Sequence, residues 1–153
     1  MPKTLNTKTM TKEQIFELIN GMQNPVMYLA TSENGQPHVR GVLLYSADEN
    51  GIVFHTGKFK ALHKQLQENP KAEACFATGK YQVRVEGEFK LVDDIEFKKE
   101  IINHPSRKFL QGWIAEQGLD AVLDFIQVYR MEHGKAHTWS FEDNFKPKEY
   151  VEL

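Results

Sequence analysis

Apolar residues recur along this chain at two spacings, and the switches between them mark its elements. In "TKEQIFELINGM", Ile15, Phe16, Leu18 and Ile19 form a helical stripe, and Thr11 and Gln14 stand at capping-box spacing. This predicts a short helix ending near Gly21. The next segments read as strands: "PVMYLATS", then "HVRGVLLYSA" after the turn "ENGQP", then "IVFHT" after the turn "DENG". A helix is expected from about residue 59 to 68, with Phe59, Leu62 and Leu66 at i, i+3 and i+7 facing the core and Lys60 in its first turn. "KAEACFATG" and "YQVRVEGEFKLV" return to strand. In the second, Tyr81, Val83, Val85, Phe89 and Leu91 make the core face and leave Gln82, Arg84, Glu86, Glu88 and Lys90 on the other.

Further along, Asp93 or Asp94 can cap a helix that buries Ile95, Phe97 or the Lys98 stem, Ile101 and Ile102. "PSRKFLQGWIAEQGLDAVL" holds one or two short helices broken near Gly112 and Gly118. "DFIQVYRMEHGKAHTWSF" reads as a hairpin around Gly134–Lys135, and the tail "EDNFKPKEYVEL" is charged with two aromatics. Residues 1–10 are polar and read as a loose N-terminal arm. About six closely spaced strands, with a helix inserted mid-sheet and others after it, predict a mainly β (α+β) fold, an antiparallel barrel with helices packed outside.

Composition narrows the function. The 153 residues are 41% apolar and 26% charged, enough for one domain over the whole chain, 1–153, with a sizeable core. Nineteen Lys and Arg against 21 Asp and Glu give a formal charge of −2, so no global basic field attracts nucleic acid or an anionic membrane. No apolar run approaches the ~20 residues that cross a bilayer. The single cysteine, Cys75, forms no intramolecular disulfide and reads as a small buried hydrophobe. The start of the chain has no apolar leader segment, so a cytoplasmic protein is expected.

The basic residues are concentrated. Between His55 and Gln67 lie Lys58, Lys60, Lys64 and two histidines, with no carboxylate. A lysine in a helix's first turn opposes the macrodipole by a few tenths of a kcal/mol to about 1 kcal/mol. That cost is offset if an anion shares the site with Lys60 and the free backbone N–H groups, with the Thr56 hydroxyl nearby. A solvated lysine loop is the other reading. Arg40 alternates with Val42 and Leu44, so its guanidinium needs an anionic partner if that face is covered; at a solvated strand end it does not. Gln82 and Arg84 matter only if something covers their end of the strand. His133 and His137 are four apart, but a turn at Gly134–Lys135 removes helical metal spacing. No GxGxxG is present, so a dedicated nicotinamide domain is absent.

Taken together, "GQPHVRGVLLY", "DENGIVFHTGKFKALHKQLQENPKAEACF" and "YQVRVEGEFKLVDD" resemble the pyridoxamine 5′-phosphate oxidase-like family of FMN-binding split β-barrels over roughly residues 25–94. The resemblance implies a six-stranded antiparallel split barrel with flanking helices. It implies a flavin phosphate held by Arg40 and Lys60, a site lined by His55, Thr56 and the backbone around Val42, and Gln82 and Arg84 contributed from an adjoining subunit of a homodimer. Two departures separate the chain from the true oxidases. Tyr45 stands where they carry a lysine for the substrate phosphate, and "HTWSFEDNFKPKEYVEL" lacks their C-terminal Arg-His-Asp-Arg segment. Thr56 and Lys60 instead match the T-x-x-x-K of general-stress and nitroimidazole-reductase-like relatives. The expectation is FMN-dependent reduction of a small organic acceptor, with His55, Tyr45 and Trp139 as candidate pocket liners, though a core or interface aromatic is the favoured reading of Trp139. A haem-binding or haem-degrading barrel, a non-catalytic flavin binder and a deazaflavin protein are the alternatives.

Overall fold

The computed structural model describes residues 9–153. Of the expected N-terminal arm, 1–8 lie outside the described residues, whereas Met10 packs against the core. The first helix, α1 (Lys12–Asn20), carries the expected capping box, with the Thr11 side chain accepting from the Gln14 amide and the Gln14 side chain accepting from the Thr11 amide. Ile15 and Ile19 are its buried residues.

Nine strands follow, rather than six: β1 (Val26–Glu33), β2 (Gln36–Asp48), β3 (Gly51–Gly57), β4 (Lys71–Thr78), β5 (Tyr81–Glu88), β6 (Lys90–Leu91), β7 (Ile126–Met131), β8 (Lys135–Trp139) and β9 (Val151–Glu152). The strand expected over 81–92 divides at Phe89, which turns fully into the core, so the chain beyond it leaves β4 and pairs with β7. The sheet order is β6-β7-β3-β2-β1-β4-β5-β8-β9, antiparallel throughout. The fold is the expected α+β split barrel.

The hairpin expected around Gly134–Lys135 does not form. β7 pairs with β3 and β6, and β8 with β5 and β9, so the link between them crosses from one part of the curled sheet to the other. The crossing is tight: a Cβ on Gly134 would come within 2.6 Å of Val85 Cγ1.

Helix α2 (Ala61–Glu68) lies between β3 and β4, and α3 (Ile95–Ile102), α4 (Phe109–Gln117) and α5 (Leu119–Phe125) lie between β6 and β7, with a 3-10 turn at Pro105–Arg107. Asp94 caps α3 as expected, yet Ile95 is half exposed and Ile101 and Ile102 carry the burial. The break between α4 and α5 falls at Gly118, while α4 runs unbroken through Gly112.

Two apolar clusters result. Met27, Leu29, Leu44, Phe54, Phe76, Val83, Phe89 and Tyr129 fill the barrel with α1 and with Leu62 and Leu66 of α2. Val53, Ile126 and Val128 face the other way, onto Ile101, Ile102, Leu110, Val122 and Leu123 of α3–α5. Burial on both faces of β3 explains why "IVF" reads as a continuous apolar run.

Candidate functional site

β2 is 13 residues long and changes partner along its length. Its first part pairs with β1 from Gln36↔Glu33 to Leu43↔Val26, while its ladder with β3 runs only from Asp48↔Gly51 to Leu44↔Phe54. Beyond that rung the two strands part. The β2 edge carrying Arg40, Gly41, Val42 and Leu43 and the β3 residues His55, Thr56 and Gly57 form the arms of a fork, and β3 leads directly into Lys58–Lys60 and α2. Unpaired strand edges offer backbone N–H and C=O groups to a ligand.

The β2 arm is fixed from beneath α2. Arg40 donates from Nη1 to Thr31 Oγ1 at 2.7 Å and to the Leu29 carbonyl at 3.3 Å, and from Nη2 to Gln65 Oε1. Thr31 and Gln65 are buried, and Gln65 also donates to Glu33 Oε2 at 3.1 Å. All the acceptors that Arg40 meets are neutral. Among the described residues no carboxylate lies within ion-pair distance of it, and burial draws its pKa down. Val42 is half buried against the barrel core.

On the β3 arm, Gly57 permits the exit, since a Cβ there would lie 2.2 Å from the Phe125 ring. Lys58 pairs with Asp124 at 3.3 Å and Lys64 with Glu33 at 3.8 Å, which leaves Lys60 as the lysine of the patch without a carboxylate partner among the described residues. Lys60 is the N-cap of α2 in extended conformation, one position before the first turn expected for it, and no side chain caps the helix. The later start also turns Phe59 out, 87% exposed instead of facing the core. An uncapped helix start with free N–H groups beside an unpaired lysine can hold an anion.

α2 is pinned by Tyr129, whose hydroxyl meets His63 Nδ1 at 2.7 Å and accepts from Gln67 Nε2 at 3.1 Å. Thr56 is half buried opposite Gln127.

His55 faces the α3–α5 layer, where Arg107 Nε donates to its Nε2 at 2.8 Å and Phe109 stacks at 6.5 Å between centroids. Burial first, and the Arg107 charge second, push the His55 pKa down to about 4. Arg107 Nη2 also donates to the Leu44 carbonyl at 2.9 Å, so this side chain spans the fork at its last rung. The sequence carried no signal for it, because 52 residues separate it from His55. Tyr45 packs edge-on to Phe97 and His104 beneath Arg107.

Gln82 and Arg84 do not join the fork within one chain. They lie on β5, three strands from β2, with Arg84 donating to Gln82 Oε1 at 3.2 and 2.7 Å and its guanidinium 5.9 Å from the Trp139 ring. Trp139 also donates from Nε1 to Asn144 at 3.3 Å. Cross-strand pairing places Cys75, Arg84 and His137 on the same outer face as Tyr28 and Gly41. Cys75 is therefore half buried on that face, and Ala74 and Phe76 are the buried positions of β4, contrary to the sequence expectation. Among the described residues no group of three or more His, Cys, Asp or Glu side chains is arranged to hold a metal ion, and no helix is long and apolar enough to cross a membrane.

The family model described as pyridoxamine 5′-phosphate oxidase matches residues 11–135, which include both arms of the fork, α2 and Arg107. The chain belongs to the pyridoxamine 5′-phosphate oxidase family. It is 33% identical over 138 residues to the pyridoxine-5′-phosphate oxidase of Dictyostelium discoideum, covering 89% of this chain and 58% of that protein. The chain spans about half the length of the curated relatives it matches, 58%, 47% and 44% in three cases. Among solved structures, a NimC/NimA family protein from Clostridium acetobutylicum superposes with a TM-score of 0.68 at 21% identity, over 92% of both chains. A pyridoxamine 5′-phosphate oxidase-related, FMN-binding protein from Nostoc punctiforme gives 0.60 at 16% identity, over 90% of this chain and 85% of that one. At these identities the likeness is one of fold, and the family's split barrel is the common element.

Proposed function

We propose that the chain is an FMN-binding oxidoreductase that works as a homodimer and reduces a small organic acceptor. The observation that carries this reading is the β2–β3 fork, where among the described residues Arg40 and Lys60 have no carboxylate partner, Lys60 stands at the uncapped start of α2 and Arg40 reaches the same helix one turn further on, at Gln65. The donor set suits a phosphate monoester: two cations, free helix amides and the Thr56 hydroxyl. When bound, the flavin supplies the electron-transfer chemistry. The protein's part is then to hold the phosphate through Arg40 and Lys60, to meet the ring with the β2 backbone around Val42 and with His55, and to exclude water.

A second copy of the chain is the partner that fits the outer face. There Val39 is 71% and Tyr28 51% exposed, beside half-buried Val26, Ala30 and Leu43, and the same face carries Gln82 and Arg84. Docking a copy on it would cover both side chains and give them a ligand to meet across the interface. Oxidation of a pyridoxine phosphate, the activity named in the Dictyostelium relative, is disfavoured by Tyr45, which packs into an aromatic cluster where a phosphate-binding lysine would be needed.

Titration of FMN against the purified protein, followed by flavin fluorescence, tests the site. Arg40→Ala and Lys60→Ala each remove a charged contact worth about 1.5–3 kcal/mol, or roughly ten- to a hundredfold in Kd. Riboflavin, which has no phosphate, should lose nothing. Unchanged FMN affinity in both variants would sink the phosphate assignment. Turnover with a nicotinamide donor and candidate acceptors, pyridoxamine phosphate included, separates an enzyme from a flavin carrier, and a Soret band would favour haem.

A further inference from the structure

Arg107 is 1% exposed, and among the described residues no carboxylate lies within ion-pair distance of it. Its hydrogen bonds all run to neutral acceptors: Leu44 O at 2.9 Å from Nη2, Ser106 O and Oγ at 3.4 and 3.2 Å from Nη1, and His55 Nε2 at 2.8 Å from Nε. A guanidinium has donors only, so the His55 nitrogen that accepts from it carries no proton. A neutral imidazole then has its proton on Nδ1. Among the described residues Nδ1 has no hydrogen-bond partner. The sealed, partnerless side-chain nitrogens among the described residues are Arg130 Nε and His137 Nε2, so His55 Nδ1, which is not one of them, keeps some exposure on this half-buried side chain.

The surroundings of His55 hold no charge that would favour its protonation. Arg107 faces it from the 3-10 turn, the Phe109 ring from α4 and Val128 from β7, with Phe54 and Thr56 as chain neighbours. Burial and the Arg107 charge both act against a second proton.

We propose that Arg107 is a positioning residue that locks His55 as the neutral Nδ1–H tautomer, so that the β3 arm of the fork presents a fixed N–H donor to its ligand. The ligand atom it suits is a neutral acceptor, a carbonyl, imine or nitro oxygen or nitrogen. His55 would orient that atom by a hydrogen bond and would not deliver a proton to it near neutral pH. The lock stands on the geometry of this chain alone; only the identity of the ligand rests on the flavin reading.

The test is a long-range proton–nitrogen correlation spectrum of the 15N-labelled protein without flavin, recorded from pH 5 to 8, with His55→Asn identifying the signal. The lock predicts the Nδ1-protonated pattern, unchanged across this range, and in Arg107→Met a His55 midpoint raised by at least one pH unit. FMN affinity in the natural protein should then follow only the titration of the flavin phosphate itself, at about pH 6, and acquire a further step at that new midpoint in Arg107→Met. An Nε2-protonated ring, or a midpoint near 6.5 in the natural protein, would overturn the lock, and this holds even if Arg107→Met does not fold. A folded Arg107→Met with an unmoved His55 would overturn it as well. The predicted spectrum in a protein that takes up no FMN would support the lock and reject the flavin reading.

Discussion

His55 sits neutral between a buried guanidinium and an aromatic ring, and this couples the stability of the protein to pH. Its folded pKa is about 4, against about 6.5 for an unperturbed histidine. Between those values the unfolded chain binds a proton that the folded chain does not, so stability is full above pH 6.5 and falls as the pH drops towards 4. At pH 4.5 the loss from this residue is about 2 kcal/mol relative to pH 7. Urea unfolding at the two pH values should show a smaller difference in His55→Gln than in the natural protein; equal differences would remove His55 from the account. Arg40 shows how far a residue can be read in isolation. Alternation gave its face, with Val42 and Leu44, and only the fold reveals that α2 covers that face and that its partners there, Thr31 and Gln65, are neutral.

α2 is the element on which the site depends. Leu62 and Leu66 seat it on the barrel, Gln65 ties it to Arg40, and His63 and Gln67 tie it to Tyr129. Tyr129→Phe should cost about 1 kcal/mol in overall stability, the net worth of a hydrogen bond, because His63 and Gln67 can still reach water. FMN affinity should fall with it if α2 carries Lys60 into the site, whereas Thr11→Ala, which loosens α1 by about 1 kcal/mol, should leave FMN affinity as it is. Parallel unfolding and flavin titrations check both. The helix was legible because Leu62 and Leu66 repeat on one face. Its start was not, because Phe59 fits the same repeat; Lys60 takes extended backbone at the N-cap and Phe59 is left outside.

For the molecule as a whole, the exposed apolar face across β1 and β2 sets the expected assembly. Light-scattering mass should report a dimer, and Tyr28→Glu combined with Val39→Glu should give a folded monomer, since both side chains point away from the core. If Gln82 and Arg84 complete the site across the interface, that monomer should also bind FMN more weakly. A monomeric natural protein would reject the homodimer. The link from β7 to β8 belongs to this scale too. Two apolar runs joined through Gly134 look like a hairpin, yet β7 is taken up by β3 and β8 by β5, because strands so paired close the barrel around Phe54, Phe89 and Tyr129.

By itself the sequence determined what depends on near neighbours. The capping box of α1, the alternation in β2 and β5, a cap for α3 at Asp93 or Asp94 and the cluster of lysines before α2 are all set by residues within a few positions of one another. Together with the order of its motifs they were enough to point to the family. Only the tertiary structure decided what depends on meetings at long range. It opened the β2–β3 ladder at Leu44, paired off Lys58 and Lys64 while leaving Lys60 without a carboxylate among the described residues, and brought Arg107 onto His55. The Lys58–Asp124 and Arg107–His55 contacts follow from how α3–α5 pack on β3 and β7, and the Lys64–Glu33 contact from how α2 lies on β1; no spacing in the chain encodes that packing locally.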